Sequence, residues 1–87
     1  MTDCSITLRT IFNHFGEERQ LEKLQEEFIE LMEAFESGCA EHIREEIAGT
    51  LNVLLQFAQE YGFNLVQKEA LSQQQRTIKR IEGGFYE

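Results

Sequence analysis

Three observations predict an all-α fold, a bundle of about four helices completed by oligomerisation. The 87 residues contain no proline, so nothing in the chain forbids a long helix. Apolar residues recur at steps of three and four, the period of one helical face, and no segment alternates as a strand would. A chain this short buries a modest share of its surface, and association with further copies is a common way to complete such a core. We take residues 1–87 as a single domain.

The first helix is predicted from about Cys4 to His14, with Ile6, Leu8, Ile11, Phe12 and Phe15 apolar. Thr2 or Asp3 would cap it, and Gly16 would end it. The second runs from about Glu17 to Phe35, where Leu21, Leu24, Phe28, Leu31 and Phe35 form a helical seam; Ser37 and Gly38 stop it. The third runs from about Glu41 to Tyr61, with Ile43, Ile47, Thr50, Leu54 and Phe57 or Ala58 as its stripe. Gly62 terminates it. Asn64 then reads as the cap of a polar fourth helix, Leu65 to about Ile81, anchored by Leu65, Leu71 and Ile78. The short link between the second and third helices implies an antiparallel hairpin. Phe12, Phe15 and Phe63 are expected in the core.

Composition narrows the function. Sixteen acidic and eight basic residues leave a net charge of −8. That disfavours non-specific nucleic-acid binding, which needs clustered Lys and Arg, and suits a solvated acidic surface or a site that collects cations. Cys4 and Cys39 lack metal-ligand spacing and do not make a disulfide framework. We read both as free thiols in a reducing cytoplasm. No apolar run is long enough to cross a membrane, and no secretory signal is evident. His14 and His42 have no clear partner in the pattern and read as surface or boundary residues.

The carboxylates are unevenly placed. The second helix carries "EEFIE", Glu26 to Glu30, and the third carries Glu45 and Glu46. On a wheel of about 100° per residue with Leu24 at zero, the seam lies near zero, Glu27 at about 300° and Glu30 at about 240°. Glu26 and Glu33 fall near 180–200°, on the far side. With Ile43 at zero on the third helix, Glu46 falls at about 300° and Gly49 at about 240°. Glu46 is thus the counterpart of Glu27, and Gly49 of Glu30. In an antiparallel hairpin these flanks face one pocket. Like charges held together raise each other's pKa values, and a divalent cation relieves the repulsion. Clustered carboxylates favour hard ions such as Mg²⁺ or Mn²⁺, and Glu pairs on facing helices build metal sites in bundles. Solvated surface glutamates at helical spacing would produce the same pattern.

"KLQEEFIELMEAF", a short loop and "EEIAGTLNVLLQFAQEYG" together resemble the all-α nucleoside triphosphate pyrophosphohydrolases of the MazG type. That superfamily also holds dimeric dUTPases, dCTP pyrophosphatases and phosphoribosyl-ATP pyrophosphohydrolases. Its motif is EExxE, a gap, then ExxD. Glu26, Glu27 and Glu30 match the first part and Glu46 the Glu of the second, over about half the chain. The ending "QRTIKRIEGGFYE" is similar to the basic tail of small members. The resemblance implies hydrolysis of a nucleoside triphosphate to a monophosphate and pyrophosphate with Mg²⁺ or Mn²⁺, by a dimer or tetramer. It implies Glu27, Glu30 and Glu46 as metal ligands, and Glu26 or Glu27 as the group that orients or deprotonates the attacking water. Lys68, Arg76 and Lys79, with Arg80, would contact phosphates, from the same or another subunit.

The chain departs from that motif at Gly49, where the aspartate of ExxD would stand. Glycine in a helix interior costs about 1 kcal/mol relative to alanine, and the sequence offers no structural gain in return. Asn52 and Gln56 supply neutral oxygens nearby on the wheel, but not at the same place. Three accounts remain open: a site working through three glutamates, nucleotide binding without turnover, or a replaced residue that disables the enzyme. Two function classes follow. One is a nucleotide pyrophosphohydrolase. The other is a non-catalytic helical module that binds a nucleotide or a protein.

Overall fold

The computed structural model describes residues 2–84, with side chains from 5 onward. It contains four helices: α1 (Thr2–Phe15), α2 (Glu17–Ser37), α3 (Ala40–Glu60) and α4 (Phe63–Glu82). Among the described residues there is no strand, and no helix is long and apolar enough to cross a membrane. The cap assigned to Thr2 or Asp3 and the thiol of Cys4 lie outside the described side chains.

The links between helices are short because glycine ends each preceding helix. Gly16 has φ 86° and returns its N–H to the Phe12 carbonyl at 2.8 Å. Gly38, in the left-handed region, donates to the Phe35 carbonyl. Ser37 Oγ then donates to the Ala34 carbonyl and accepts the Cys39 N–H. This two-residue turn folds α2 and α3 into the expected antiparallel hairpin. Asn64 does not cap α4. The first helical bond runs from the Val66 N–H to the Gly62 carbonyl at 3.0 Å, so the helix begins one residue before Asn64.

α1 lies across the hairpin. Phe12 meets Phe57 edge to face with centroids 5.3 Å apart, and Gln59 Nε2 donates to the Ser5 carbonyl and hydroxyl. Tyr61 donates its hydroxyl to Glu17. α4 packs only on α3 among the described residues, and none of its residues is buried.

The face joining α2 to α3 differs from the one predicted. The buried residues of α2 are Gln20, Glu27 and Ala34, and those of α3 are Thr50, Val53 and Gln56. On the wheels used above they centre near 280–320°, roughly 60° or more from the predicted stripes. Leu21, Phe28, Phe35, Ile47 and Leu54 remain exposed. Small and mutually bonded polar residues account for the rotation. Ala34, fully buried, lets the backbones approach. Gln20 Nε2 donates to Gln56 Oε1 at 2.8 Å. Thr50 Oγ1 donates to the Glu46 carbonyl at 2.9 Å and lies 3.5 Å from the Glu27 carbonyl. Of the three phenylalanines expected in the core, Phe12 is buried, whereas Phe15 and Phe63 are half exposed.

Candidate metal centre

Because α2 and α3 meet along the flank that carries the motif, the predicted carboxylates converge. Glu27, Glu30 and Glu46 each offer an oxygen, and these oxygens all lie within 4.8 Å of one another. Glu27 is buried, Glu46 is partly buried and Glu30 is exposed. The set therefore has a closed inner wall and an open outer side. All three donors are carboxylate oxygens, the type hard divalent ions prefer. The electrostatics fit a cation as well. Glu30 is held above the ordinary carboxylate range, first by the charge of Glu27, then by partial desolvation and by Glu46, with Lys23 acting in the opposite direction.

Gly49 lies in the wall of this site. The Glu27 carboxylate rests against it, and a β-carbon at position 49 would stand 2.7 Å from Glu27 Oε2. The glycine thus makes room for the inner carboxylate, a role that helix propensity gives no hint of. Glu27 Oε1 in turn accepts from Lys23 Nζ at 3.1 Å. Hydrogen bonding to Glu27 is the main reason the Lys23 ammonium is held above its usual pKa. The motif reading did not single out Lys23. Its position four residues before Glu27, one turn away on the same face, is the signal that would have found it.

The other predicted residues are placed as follows. Glu26 is exposed and stands 3.7 Å from Arg19 Nη1, outside the three-carboxylate set. His42, expected without a partner, has Nε2 3.6 Å from Glu46 Oε1. Lys68, Arg76 and Lys79 are exposed on α4, and Arg76 bonds Glu69 and Ser72 of its own helix. No α4 residue belongs to the three-carboxylate set or lines the cavity beside it. Instead, Arg19 and Lys23 of α2 edge a cavity of about 330 Å³ beside Gly49. Its walls combine Ile11, Phe15 and Val53 with the amide side chains of Gln20, Asn52 and Gln56.

No family model matches the chain, and no curated protein or solved structure is similar to it at a significant level.

Proposed function

We propose that the chain is a nucleoside triphosphate pyrophosphohydrolase of the MazG type, dependent on Mg²⁺ or Mn²⁺, working in the cytoplasm as an assembly of identical chains. The reaction converts a (d)NTP and water to a (d)NMP and pyrophosphate. The observation that carries this reading is the convergence of Glu27, Glu30 and Glu46 on one point, at the motif positions that predicted it.

The three glutamates would hold the ion. When bound, it neutralises phosphate charge and lowers the pKa of a coordinated water. The chain's own residues do the rest. Lys23 lines the cavity and pairs with Glu27 of the cluster, and Arg19, one turn earlier on α2, lines the cavity and pairs with Glu22 and Glu26, so they attract the triphosphate, Lys23 at the end nearer the carboxylates. Phe15, Ile11 and Val53 supply apolar walls for a base, and the Asn52 amide offers it both a donor and an acceptor. Glu26, paired with Arg19, sits on the solvent side, where it can accept a proton from an approaching water. A phosphate role for Lys68, Arg76 and Lys79 requires α4 of another copy, since α4 of the same chain does not reach the cavity lining.

A second reading is favoured by Gly49 and Lys23. One motif carboxylate is missing, and an ammonium already pairs with the innermost of the three present. A non-catalytic module that binds a nucleotide or a protein would need no more than this. Pyrophosphate release from a nucleotide panel with Mg²⁺ or Mn²⁺, run beside Gly49→Asp and Glu27→Gln, separates the two. Turnover that Glu27→Gln abolishes supports the enzyme. Absence of turnover in both the parent chain and Gly49→Asp, at high protein concentration, assigns the site to binding alone.

A further inference from the structure

The most deeply placed polar groups of the cavity beside Gly49 are two amides, Gln20 of α2 and Gln56 of α3. Both line the cavity, and each is only 4% exposed. Amides this buried ordinarily use their hydrogen-bonding capacity in full. Here one bond joins them, Gln20 Nε2 donating to Gln56 Oε1 at 2.8 Å. The acceptor Gln20 Oε1 and the donor Gln56 Nε2 are left without a partner among the described residues. Gln59 Oε1 is the one unpartnered side-chain atom among those residues that is also closed to solvent, so the two spare amide atoms open onto the cavity. Unpaired groups at a buried wall are costly, and a ligand edge with both a donor and an acceptor would satisfy them.

Their place along the hairpin suits a base. Gln20 precedes Glu27 by seven residues, and Gln56 follows Gly49 by seven, two helical turns or about 10 Å in each case. A nucleotide whose phosphates lie at the carboxylates would therefore send its base toward the two amides, between Ile11, Phe15 and Val53. The order of donor and acceptor on the amides is not fixed. Turning both by half a turn preserves the bond with the roles exchanged, Gln56 Nε2 then donating to Gln20 Oε1. The atoms facing the cavity are reversed, a donor on Gln20 and an acceptor on Gln56. No third polar group among the described residues bonds either amide and holds it in one order.

We infer that Gln20 and Gln56 form a reversible reader of the base edge, one that demands a donor beside an acceptor but takes them in either order. Uracil offers the acceptor O4 beside the donor N3–H, and cytosine the donor N4–H₂ beside the acceptor N3. The same-sized edges of guanine and adenine repeat the two orders. A polar site locked in one order rejects the opposite edge by several powers of ten, because its own buried groups are then left unpaired. A pair that turns over together pairs with both edges and rejects only a base that lacks one of the two groups. The inference rests on the proposed nucleotide chemistry of this cavity and assigns its specificity to these two glutamines.

Calorimetric titration of the full chain in Mg²⁺ tests it, with the α,β-imido analogues of dUTP and dCTP, which resist cleavage between those phosphates. The two dissociation constants should agree within about tenfold, whereas the N3-methyl derivative of the dUTP analogue, which lacks the donor, should bind about tenfold or more weakly. That penalty for methylation should vanish in Gln20→Leu with Gln56→Leu, whose fold is checked by helical circular dichroism, and persist in Asn52→Ala. The comparisons on the parent chain need no variant. A larger difference between the dUTP and dCTP analogues overturns the inference while leaving the nucleotide reading intact. So does a methylation penalty that is absent from the parent chain or survives in the folded double variant. Failure of both unmodified analogues to bind at millimolar concentration, with Mg²⁺ still bound at the glutamates, overturns the nucleotide reading and this inference together.

Discussion

Gly49 and Glu27 fit together as a surface and its cover: the carboxylate of α2 rests where a β-carbon of α3 would otherwise be, 2.7 Å from Oε2. The atom in the way is the end of a flexible side chain, so a substitution moves the carboxylate rather than the backbone. Gly49→Ala should gain about 1 kcal/mol in helix propensity. From that is subtracted whatever the displaced Lys23–Glu27 pair contributed, about 0–1 kcal/mol for a partly exposed pair. The melting temperature in chelator should therefore hold or rise by a few degrees. Mg²⁺ affinity, measured by calorimetry, should fall about tenfold or more because the inner ligand is misplaced. Unchanged affinity would mean that the glycine does not serve the placement of Glu27.

Lys23 stands in for a cation at the cluster, with Nζ 3.1 Å from Glu27 Oε1. Lys23→Met removes that charge and leaves three carboxylates facing one another. The metal-free protein should lose up to about 1 kcal/mol, since the pair is partly exposed. Mg²⁺ should bind more tightly, because no ammonium competes for Glu27. If Lys23 also orients phosphate, the KM for nucleotide should rise in the same variant. Thermal melts with and without Mg²⁺ and a substrate titration read the effects separately. Weaker Mg²⁺ binding in Lys23→Met would count against competition.

The helices and the converging glutamates were legible because both depend on spacing within one helix, which a wheel reports directly. Glu27, Glu30 and Glu46 follow from it, and the turn at Gly38 then brings their helices together. The wheel does not say which flank of an amphipathic helix meets its neighbour. The apolar seam through Phe28 and Phe35 was the natural choice, yet the contact runs through Gln20, Glu27 and Ala34. That choice depends on pairs such as Gln20 with Gln56, whose partner is 36 residues away. Gly49 was legible as a missing carboxylate but not as space for one, because its neighbour lies on another helix. The role of α4 was equally hidden: its sparse apolar positions fixed a helix, but not what covers it.

Glu30 gives the cluster a pH dependence. Its carboxyl is held above 4.5, chiefly by the charge of Glu27. The folded chain therefore binds this proton more tightly than the unfolded chain does. The stability linked to it is present below pH 4.5 and is lost as pH rises through the folded pKa. In chelator, the parent should lose more stability than Glu30→Gln over that interval. Mg²⁺ requires the deprotonated ligand, so its stabilising effect should grow over the same interval in the parent and be much smaller in Glu30→Gln. Melting curves across pH, with chelator or with Mg²⁺, check both slopes; parallel curves for the two proteins would remove Glu30 from the coupled set.

Gln20 and Gln56 form the buried polar link beneath the cavity, each only 4% exposed and joined by a 2.8 Å hydrogen bond. Gln56→Leu leaves the Gln20 amide, itself only 4% exposed, without this partner. Stranding a buried donor costs about 1–3 kcal/mol, which for a domain of this size lowers the melting temperature by at least about 4 °C. The double replacement Gln20→Leu with Gln56→Leu removes donor and acceptor together and should recover most of that loss, so the two effects should be strongly non-additive. Both residues also line the cavity. Nucleotide binding should therefore weaken in the double variant even where its stability returns, while Mg²⁺ binding at the glutamates is retained. Calorimetric melts and separate Mg²⁺ and nucleotide titrations of the single and double variants test this. Additive losses in stability would show that the pair is not coupled through its hydrogen bond.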